Sequence, residues 1–341
     1  MPTFVRRHLR HTARGTRALV VVLALAVLSV QTAASAPPAA SGGSLGARLD
    51  QVQAPAALPF SVGPGVPIAA PELPRLTSNP QLVSAAGPRG PRLTVPILVY
   101  HYVLKVRPSP GNVLLFNLSI SPALFARQMA LLHVEGATPI SLAVLIDALN
   151  GKGGLPPHPV VLTFDDGYVD FATAAAPVLH RYGFVATDYV VSGFIGHSGY
   201  MSAAQVKRMD AAGLVIGSHT VHHVDLATTP PALARMEIDG GKAALEKLLG
   251  HRVLDFAYPY GGFDGAVQQM VRDAGFRDAV TTMGGDTQTL AGSFELLRMH
   301  IGGAPSLEVF ARLAGLPLPT ATDYAAISRE TSPSRLAELA A

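Results

Sequence analysis

The chain has 341 residues, 49% of them hydrophobic and 14% charged, and it has no cysteine, which excludes disulfides, thiolate metal sites and a lipid-modified cysteine. The formal net charge is +3, and five arginines lie before residue 18; without them, 21 of the 26 Lys and Arg residues remain against 23 Asp and Glu residues. The remaining chain is slightly acidic, so composition gives no indication of nucleic-acid binding.

Residues 1–34 predict a secretory signal peptide. A basic segment comes first, an apolar stretch runs from Ala18 to Val30, and small residues follow from Thr32 to Ala36. The apolar stretch is shorter than the roughly 20 residues that span a bilayer, which favours cleavage after Ala34 over an uncleaved N-terminal anchor. We therefore expect a secreted or cell-surface monomer that contacts a membrane only through this segment, if it is uncleaved.

Residues 35–92 predict a disordered linker. They are rich in Pro, Ala, Gly and Ser and show neither helical nor strand periodicity. Such a segment buries too little apolar surface to offset the entropy lost on ordering, and its prolines favour an extended backbone. We interpret it as a spacer before a single catalytic domain over residues 93–316, which is followed by a frayed C-terminal tail over residues 317–341.

From Val95 onward, short apolar runs alternate with amphipathic segments. Runs typical of buried strands cover residues 96–100, 160–164, 187–191, 214–217, 256–258, 279–282 and 296–301. Helices are predicted to begin at Ser121-Pro122, at 170, at a Ser202-Gln205 capping box, at 231, near Val267 and at Ser306. Repeated strand–helix alternation predicts a parallel sheet with helices outside it, and about seven units suit a barrel better than an open sheet.

Polar residues stand at the ends of four of these strands. They are His101, the pair Asp165 and Asp166, the pair Ser218 and His219, and the pair Pro259 and Tyr260. One such end would mean little, because Asp-Asp-Gly is ordinary turn chemistry. In a parallel α/β barrel, however, these strand ends share the face on which active sites lie. Four together predict a functional site.

The carboxylates and histidines at these ends suit a metal. Asp165 and Asp166 repel each other unless a cation or a hydrogen bond compensates. His219 and His223 are four residues apart and can reach one ion if the segment between them is helical, whereas the spacing of His222 is that of an ordinary surface histidine. Two imidazoles and one carboxylate make an open hydrolase site, and the second carboxylate is free to act as a base. Zinc suits these ligands, and cobalt, nickel or iron would fit similar ones.

The motifs resemble those of the polysaccharide deacetylase family, also called the NodB-homology family or carbohydrate esterase family 4. The similar segments are residues 163–168 (TFDDGY), 218–226 (SHTVHHVDL) and 256–261 (FAYPYG). Residues 99–101 (VYH) also resemble the first strand of the branch that contains exported poly-N-acetylglucosamine deacetylases. The resemblance runs from about residue 95 to 315, and the order and spacing of the motifs make it specific.

This resemblance implies a distorted (β/α) barrel that binds one divalent metal. Asp166, His219 and His223 would be the metal ligands, and Asp165 would be the general base. The backbone N–H of Tyr260 would polarise the acetyl carbonyl and stabilise the oxyanion.

The resemblance also implies residues that contact substrate. They are His101, Tyr168, Pro259 and Arg298. For His101, a buried histidine bonded to the backbone is an equal alternative. The chain has no tryptophan, so exposed tyrosines at 102, 168, 200 and 260 would have to stack on sugar rings, which predicts a shallow groove of weak affinity.

Two positions depart from the family pattern. Many members carry an arginine that holds the catalytic base, and here that position is Ala257. The catalytic acid is usually a histidine on a late strand, for which His300 is the candidate. Strand alternation places Arg298 on the same side as His300, so either side chain can face the cleft.

The sequence therefore predicts a hydrolase of linear amides that removes N-acetyl groups from an extracellular or cell-wall amino-sugar polysaccharide. Two alternatives stay open. The same site could remove O-acetyl esters from xylan or peptidoglycan. The absent arginine and the unassigned acid also suit a catalytically decayed carbohydrate-binding protein at the cell surface.

Overall fold

The structure is a computed structural model that describes residues 91–337. The predicted signal peptide over residues 1–34 and almost all of the predicted linker over residues 35–92 lie outside the described residues. Within residues 91–337, no helix is long and apolar enough to cross a membrane.

The described chain alternates strands and helices, as the sequence predicts. The strands are β1 (Arg92–Thr94), β2 (Ile97–Tyr100), β3 (Thr138–Pro139), β4 (Pro159–Asp166), β5 (Thr187–Val190), β6 (Val215–Ser218), β7 (Asp255–Ala257), β8 (Asp278–Val280), β9 (Thr287–Thr289) and β10 (Met299–His300). The α-helices are α1 (Val113–Asn117), α2 (Pro122–Val134), α3 (Leu142–Leu149), α4 (Ala176–Arg181), α5 (Ala203–Ala211), α6 (Pro231–Leu249), α7 (Gly265–Asp273), α8 (Leu307–Leu313), α9 (Ala321–Glu330) and α10 (Pro333–Ala337). Shorter helical turns cover Phe171–Ala175, Ser192–Phe194 and Pro259–Gly261.

Eight strands form one curled parallel sheet in the order β10-β2-β4-β5-β6-β7-β8, with β3 paired to β4 beside this path. The predicted strand over residues 296–301 is divided between two neighbours. Its first residue, Leu296, forms a parallel bridge with Val280 of β8, and Met299 of β10 pairs with Leu98 of β2 at the other edge. This division draws the two edges of the sheet together and confirms the predicted distorted (β/α) barrel.

The helices begin where the sequence places their caps. The Ser121 hydroxyl accepts a hydrogen bond from the Leu124 N–H at 3.3 Å, and Pro122 occupies the first turn, where no N–H partner is needed. Ser202 and Gln205 form the predicted capping box at the start of α5. These bonds satisfy N–H groups that a helix start would otherwise leave unpaired.

The two faces of the sheet carry different kinds of buried side chain, apolar on the outer face and polar on the inner face. On the outer face, Phe164 packs with Phe125 of α2 and Phe171 in the main apolar core. On the inner face, the side chains of Thr163 and Asp165 alternate with Phe164, as the two-residue period of a strand requires, and both contact a buried arginine. The barrel interior therefore holds polar groups directly below the strand ends that carry the site.

The predicted helix from residue 170 to 182 is interrupted. Phe171–Ala175 forms a π-helical turn, and α4 begins at Ala176. Pro177 lies at the start of α4 and has no N–H with which to continue the hydrogen-bond ladder from the preceding turn, so the chain widens there.

The prediction of a frayed tail after Pro317 is wrong for the described residues. Helix α9 begins with a capping box between Thr320 and Asp323 and packs against α2, with Ile327 fully buried. Glu330 at its end forms an ion pair with Arg181 at 2.8 Å. The helix buries one large aliphatic side chain, which is too weak a periodic signal to identify it from sequence.

Candidate metal and catalytic site

Two adjacent carboxylates end strand β4. Asp165 and Asp166 are its last residues, and they are 3% and 8% exposed. Asp166 (φ +80°) and Gly167 (φ +75°) both adopt left-handed backbone conformations. A side chain at Gly167 would press on the backbone of Val190 in the neighbouring strand, because its Cβ would lie 3.3 Å from the Val190 Cα atom. This tight turn lets the two carboxylates serve different partners.

Asp166 lies beside two imidazoles. Its Oδ1 atom is 3.5 Å from His219 Nε2 and 3.2 Å from His223 Nε2, and one ligand atom of each residue lies within 4.8 Å of the others. The Nδ1 atom of His219 is 2.8 Å from the carbonyl oxygen of Ala257. That bond places the proton on Nδ1 and leaves the Nε2 lone pair facing the group. The three side chains therefore fit a divalent metal.

The segment that carries the histidines is a turn and not a helix, so the two imidazoles meet by a different geometry from the helical one considered above. Thr220 (φ +67°) and His223 (φ +56°) both have left-handed backbones, and the Thr220 hydroxyl accepts a hydrogen bond from the His223 N–H at 3.0 Å. This geometry brings both imidazoles to Asp166. His222 points away from the group, as its spacing predicts, and bonds to Glu237 at 2.7 Å.

Burial and charge set these groups in the ionisation states that bind metals. Burial alone would raise the pKa of Asp166, but the hydrogen bond from His223 and the neighbouring His219 lower it. Burial lowers the pKa of His219 to about 4, despite the nearby carboxylates of Asp165 and Asp166. A carboxylate and a neutral imidazole are the forms that coordinate a metal, since each ligand must be deprotonated.

Asp165 is held by Arg298, which reaches it from the chain just before β10. Nη1 and Nη2 of Arg298 donate to Oδ1 and Oδ2 of Asp165, both at 2.7 Å. Burial would raise the pKa of Asp165, but the Arg298 guanidinium outweighs it and holds that pKa well below its usual range. Asp165 is therefore a fixed, ionised carboxylate.

The prediction that Arg298 contacts substrate does not fit its position. The side chain is 1% exposed. Its Nε donates to the Thr281 carbonyl at 2.7 Å, and Nη1 also reaches the Thr163 hydroxyl at 3.2 Å. Because its guanidinium bonds to groups inside the barrel, Arg298 holds Asp165 and has no exposed surface that could contact a glycan.

Sequence reasoning missed the pairing of Arg298 with Asp165, although a signal for it existed. Arg298 lies between Leu297 and Met299 in an apolar run, and a charged residue in a buried strand needs a partner. Ala257, at the position of the expected arginine, is fully buried, and its carbonyl bonds to His219. Arg298, from the chain just before β10, thus takes the place of the arginine that position 257 lacks.

Two further histidines lie near the carboxylates. The ring centroids of His101 and His300 are 5.9 Å apart, and His101 is close enough to lower the pKa of Asp165. The Nδ1 atom of His101 is buried and has no hydrogen-bond partner among the described residues. Burial, together with His101 and Arg298, lowers the pKa of His300.

The aromatic candidates differ in what they can offer a sugar. Tyr260 is 67% exposed and left-handed (φ +59°), and its ring lies 4.5 Å from that of His223. Tyr168 is stacked between Tyr102 at 3.9 Å and Tyr200 at 5.0 Å, so its two faces are already covered. Pro259, predicted to contact substrate, is buried and has no free surface for it. The exposed ring of Tyr260 is the best-placed stacking surface.

Strand-end carboxylates beside an Asp-His-His group on a parallel α/β barrel define a hydrolase. Residues 152–279 match the family model described as Polysaccharide deacetylase. This part of the chain therefore belongs to the polysaccharide deacetylase family, and the resemblance expected from the motifs is confirmed.

Known proteins agree with this assignment. The chain is 28% identical over 216 residues to YxkH of Bacillus subtilis (strain 168), a polysaccharide deacetylase homologue, with 63% of this chain and 74% of that protein aligned. It matches the Streptococcus pyogenes deacetylase PplD in complex with acetate at a TM-score of 0.60 and 29% identity, covering 65% of this chain and 98% of that chain. A shorter match, 38% over 65 residues, joins 19% of this chain to 10% of the poly-β-1,6-N-acetyl-D-glucosamine N-deacetylase of Escherichia coli (strain K12).

Proposed function

We propose that this deacetylase is metal-dependent and removes N-acetyl groups from an amino-sugar polysaccharide outside the cytoplasmic membrane. The observation that carries the proposal is the division of the two β4 carboxylates. Asp166 faces His219 and His223, whereas Asp165 is turned to Arg298 and kept ionised. This division supports a cation-binding role for Asp166 and a proton-accepting role for Asp165.

The donor set favours zinc, with cobalt, nickel or iron as metals that similar ligands accept. When bound, the metal would polarise the acetyl carbonyl and lower the pKa of a water molecule. Asp166, His219 and His223 would hold it. The bond from His219 Nδ1 to the Ala257 carbonyl fixes the orientation of that ring before any ligand arrives.

Asp165 acts as the general base in this proposal. It accepts a proton from the attacking water while Arg298 holds both of its oxygens. Arg298 lowers the pKa of Asp165, which has two opposing consequences. The carboxylate stays ionised and ready to accept a proton, but it is a weaker base, because a base is most effective when its pKa is near the working pH. The benefit to catalysis is therefore position, since a fixed base needs no reorganisation during the reaction.

Proton donation and charge stabilisation complete the reaction. His300 donates a proton to the departing amine as the carbon–nitrogen bond breaks, and acetate leaves with the oxygen of the water. The N–H of Tyr260 stabilises the oxyanion. The contact between the Tyr260 and His223 rings supports this role, because residue 260 lies beside the ligand group.

The amide is favoured over an ester, and activity is favoured over a decayed site. One relative is named as an N-deacetylase of poly-β-1,6-N-acetyl-D-glucosamine, whose acetyl groups are amides. The decayed alternative depended on Ala257 in place of the base-holding arginine. Since Arg298 provides that bond, the argument for decay loses its main support.

We further propose that the leader over residues 1–34 exports the protein and that residues 35–92 are a spacer that holds the catalytic domain away from the membrane. The protein acts as a monomer, secreted or at the cell surface. Its apolar stretch before residue 31 and its proline-rich composition after residue 35 support this arrangement.

The test is acetate release from a panel of glycans that carry N-acetyl or O-acetyl groups. Chelator-treated protein should be inactive, and added zinc or cobalt should restore release from the N-acetylated polymers. Asp165→Asn should abolish turnover and still bind one equivalent of metal. Release that survives the chelator would refute the metal-dependent mechanism, and release from O-acetylated polymers alone would reassign the protein as an esterase.

A further inference from the structure

A buried carboxylate on helix α6 faces the turn that carries the two histidines. Glu237 is 4% exposed. Its Oε2 atom accepts hydrogen bonds from the backbone N–H groups of Val221 at 3.0 Å and His222 at 2.8 Å. Its Oε1 atom bonds to His222 Nδ1 at 2.7 Å. Three polar contacts from a single turn therefore converge on one side chain.

Two glycines let the same turn lie directly on the helix. A Cβ atom at Gly241 would lie 2.9 Å from the Thr220 carbonyl carbon and 3.0 Å from its oxygen. A Cβ atom at Gly240 would meet only the Val221 Cγ2 atom, at 3.1 Å. Glycine weakens a helix interior. At position 241 this cost is offset by the close contact with the turn backbone, for which a larger side chain leaves no room.

The turn needs this support because its backbone is strained. Thr220 and His223 both have positive φ angles without being glycine, and such conformations persist only where surrounding structure over-determines them. The Thr220 hydroxyl supplies one local bond. Glu237 and Gly241 supply the contacts from outside the turn.

We propose that Glu237 is a positioning residue for the metal ligands. It holds the backbone of the Thr220–His223 turn and so orients His219 and His223, and Gly241 provides the space for the turn to lie on the helix. The inference rests on the proposed metal dependence and extends it to a residue that touches neither the metal nor the substrate. A carboxylate suits this place because its Oε2 atom accepts from both backbone N–H groups while its Oε1 atom accepts from a protonated His222 Nδ1, whereas an aliphatic side chain would leave both backbone N–H groups without this partner. Partners that orient metal ligands typically change metal affinity by about 10- to 100-fold.

The experiment compares the metal affinities of four variants of the full chain by chelator competition and records the visible spectrum of each with Co²⁺. Glu237→Leu should weaken metal binding by about 10- to 100-fold and alter the Co²⁺ spectrum, because it removes all three hydrogen bonds to the turn. Its control is Glu246→Leu. Glu246 is on the same helix, accepts a hydrogen bond from the Val253 N–H at 3.0 Å and pairs with Lys242, so this variant removes a helix–loop contact that lies away from the turn.

A glycine pair provides the second comparison, which needs no loss of charge. Gly241→Ala should weaken metal binding by displacing Thr220, while Gly240→Ala gains the same helix propensity and should bind metal nearly as the wild type does. This pair carries the test if Glu237→Leu does not fold. Wild-type affinity in a folded Glu237→Leu or Gly241→Ala variant would overturn the inference and leave the proposed function intact. A wild-type protein that binds no metal would overturn both.

Discussion

Arg298 and Asp165 face each other across the barrel interior, and each guanidinium Nη atom lies 2.7 Å from one carboxylate oxygen. Both side chains are almost completely buried, so neither charge has water as an alternative partner. Removing one member of a buried ion pair leaves the other uncompensated and costs about 3–5 kcal/mol. The pair therefore links the stability of the barrel to the position of the base.

The first prediction concerns this pair. Arg298→Met should lower kcat for acetate release by at least about 100-fold, because a base displaced by ~1 Å loses about that much, and it should raise the pKa of Asp165, since burial would act without the guanidinium. Arg298→Lys should be intermediate, because it keeps the charge and loses the two-pronged bond. Steady-state kinetics measures kcat, the pH dependence of kcat follows the pKa of Asp165, and urea unfolding shows how much stability each variant loses.

A matched control comes from Arg277, which pairs with Asp255 and Asp278 at the starts of β7 and β8. Arg277→Met should destabilise the protein while leaving kcat per folded molecule close to that of the wild type. A folded Arg298→Met variant with normal kcat would show that Asp165 is not held by the arginine for catalysis.

The local signals in the sequence predict most of the fold and half of the site. Continuous apolar runs such as residues 160–164 identify buried parallel strands because both faces are covered, and polar residues at their ends mark the shared face. The spacing of His219 and His223 is short enough to predict that both reach one ion, and the family resemblance adds Asp166 as their partner. The turn between the histidines could not be predicted, because positive φ angles at Thr220 and His223 are set by surrounding contacts.

The long-range half of the site could not be predicted from spacing. Arg298 and Asp165 are 133 residues apart in sequence, and only the curl of the sheet brings them together. The family pattern pointed to residue 257 for an arginine, so the sequence shows a loss at Ala257. Its only sign of a replacement is the charged Arg298 within an apolar run, which does not say that its partner is Asp165. Strand alternation correctly placed Arg298 on the inner side but could not tell the barrel interior from the cleft.

The second prediction identifies the catalytic acid. An amide needs its leaving amine protonated, whereas an aryl acetate such as 4-nitrophenyl acetate has a leaving group that departs without help. His300→Asn should therefore lower amide hydrolysis by about 100- to 10,000-fold, the usual contribution of a general acid, and change aryl acetate hydrolysis little. His101→Asn is the paired variant and should affect both substrates alike. If His101→Asn alone discriminates between them, the acid is His101.

The third prediction concerns acid stability of the metal-free protein. The pKa of His219 is about 4 when folded and 6.5 in its ordinary environment. Between these values the unfolded state binds more protons, so stability is present above pH 6.5 and falls as the pH drops towards 4. The shift corresponds to about 3 kcal/mol. Urea unfolding in chelator at several pH values measures this slope, and His219→Gln should flatten it. An unchanged slope in that variant would contradict the assignment.

The fourth prediction separates two tyrosines. Tyr260→Ala should raise KM by about 3- to 10-fold, as expected for loss of ~0.5–1.5 kcal/mol of aromatic contact, with kcat nearly unchanged because the oxyanion donor is the backbone N–H. Tyr168→Ala should instead lower the free energy of unfolding, since its ring is packed between Tyr102 and Tyr200. Kinetics on a soluble N-acetylated oligosaccharide and urea unfolding distinguish the two effects. A Tyr260→Ala variant with normal KM would remove this residue from the substrate surface.

The last prediction concerns helix α9, which the sequence did not reveal. Ile327 is fully buried where α9 packs on α2, and Phe125 on α2 contacts Phe164 of β4 with ring centroids 5.8 Å apart. Ile327→Ala should therefore cost about 2–5 kcal/mol, as for other large-to-small changes in a core.

The matched control is Ser328→Ala, an exposed position on the same helix, which should be nearly neutral. The Ile327→Ala variant should release acetate at the wild-type rate while folded, because α9 supports the sheet from its helical side, opposite the buried inner face that holds Asp165 and Arg298. Equal urea midpoints for the two variants would mean that the helix contributes no stability and that the segment after Pro317 behaves as a tail in solution.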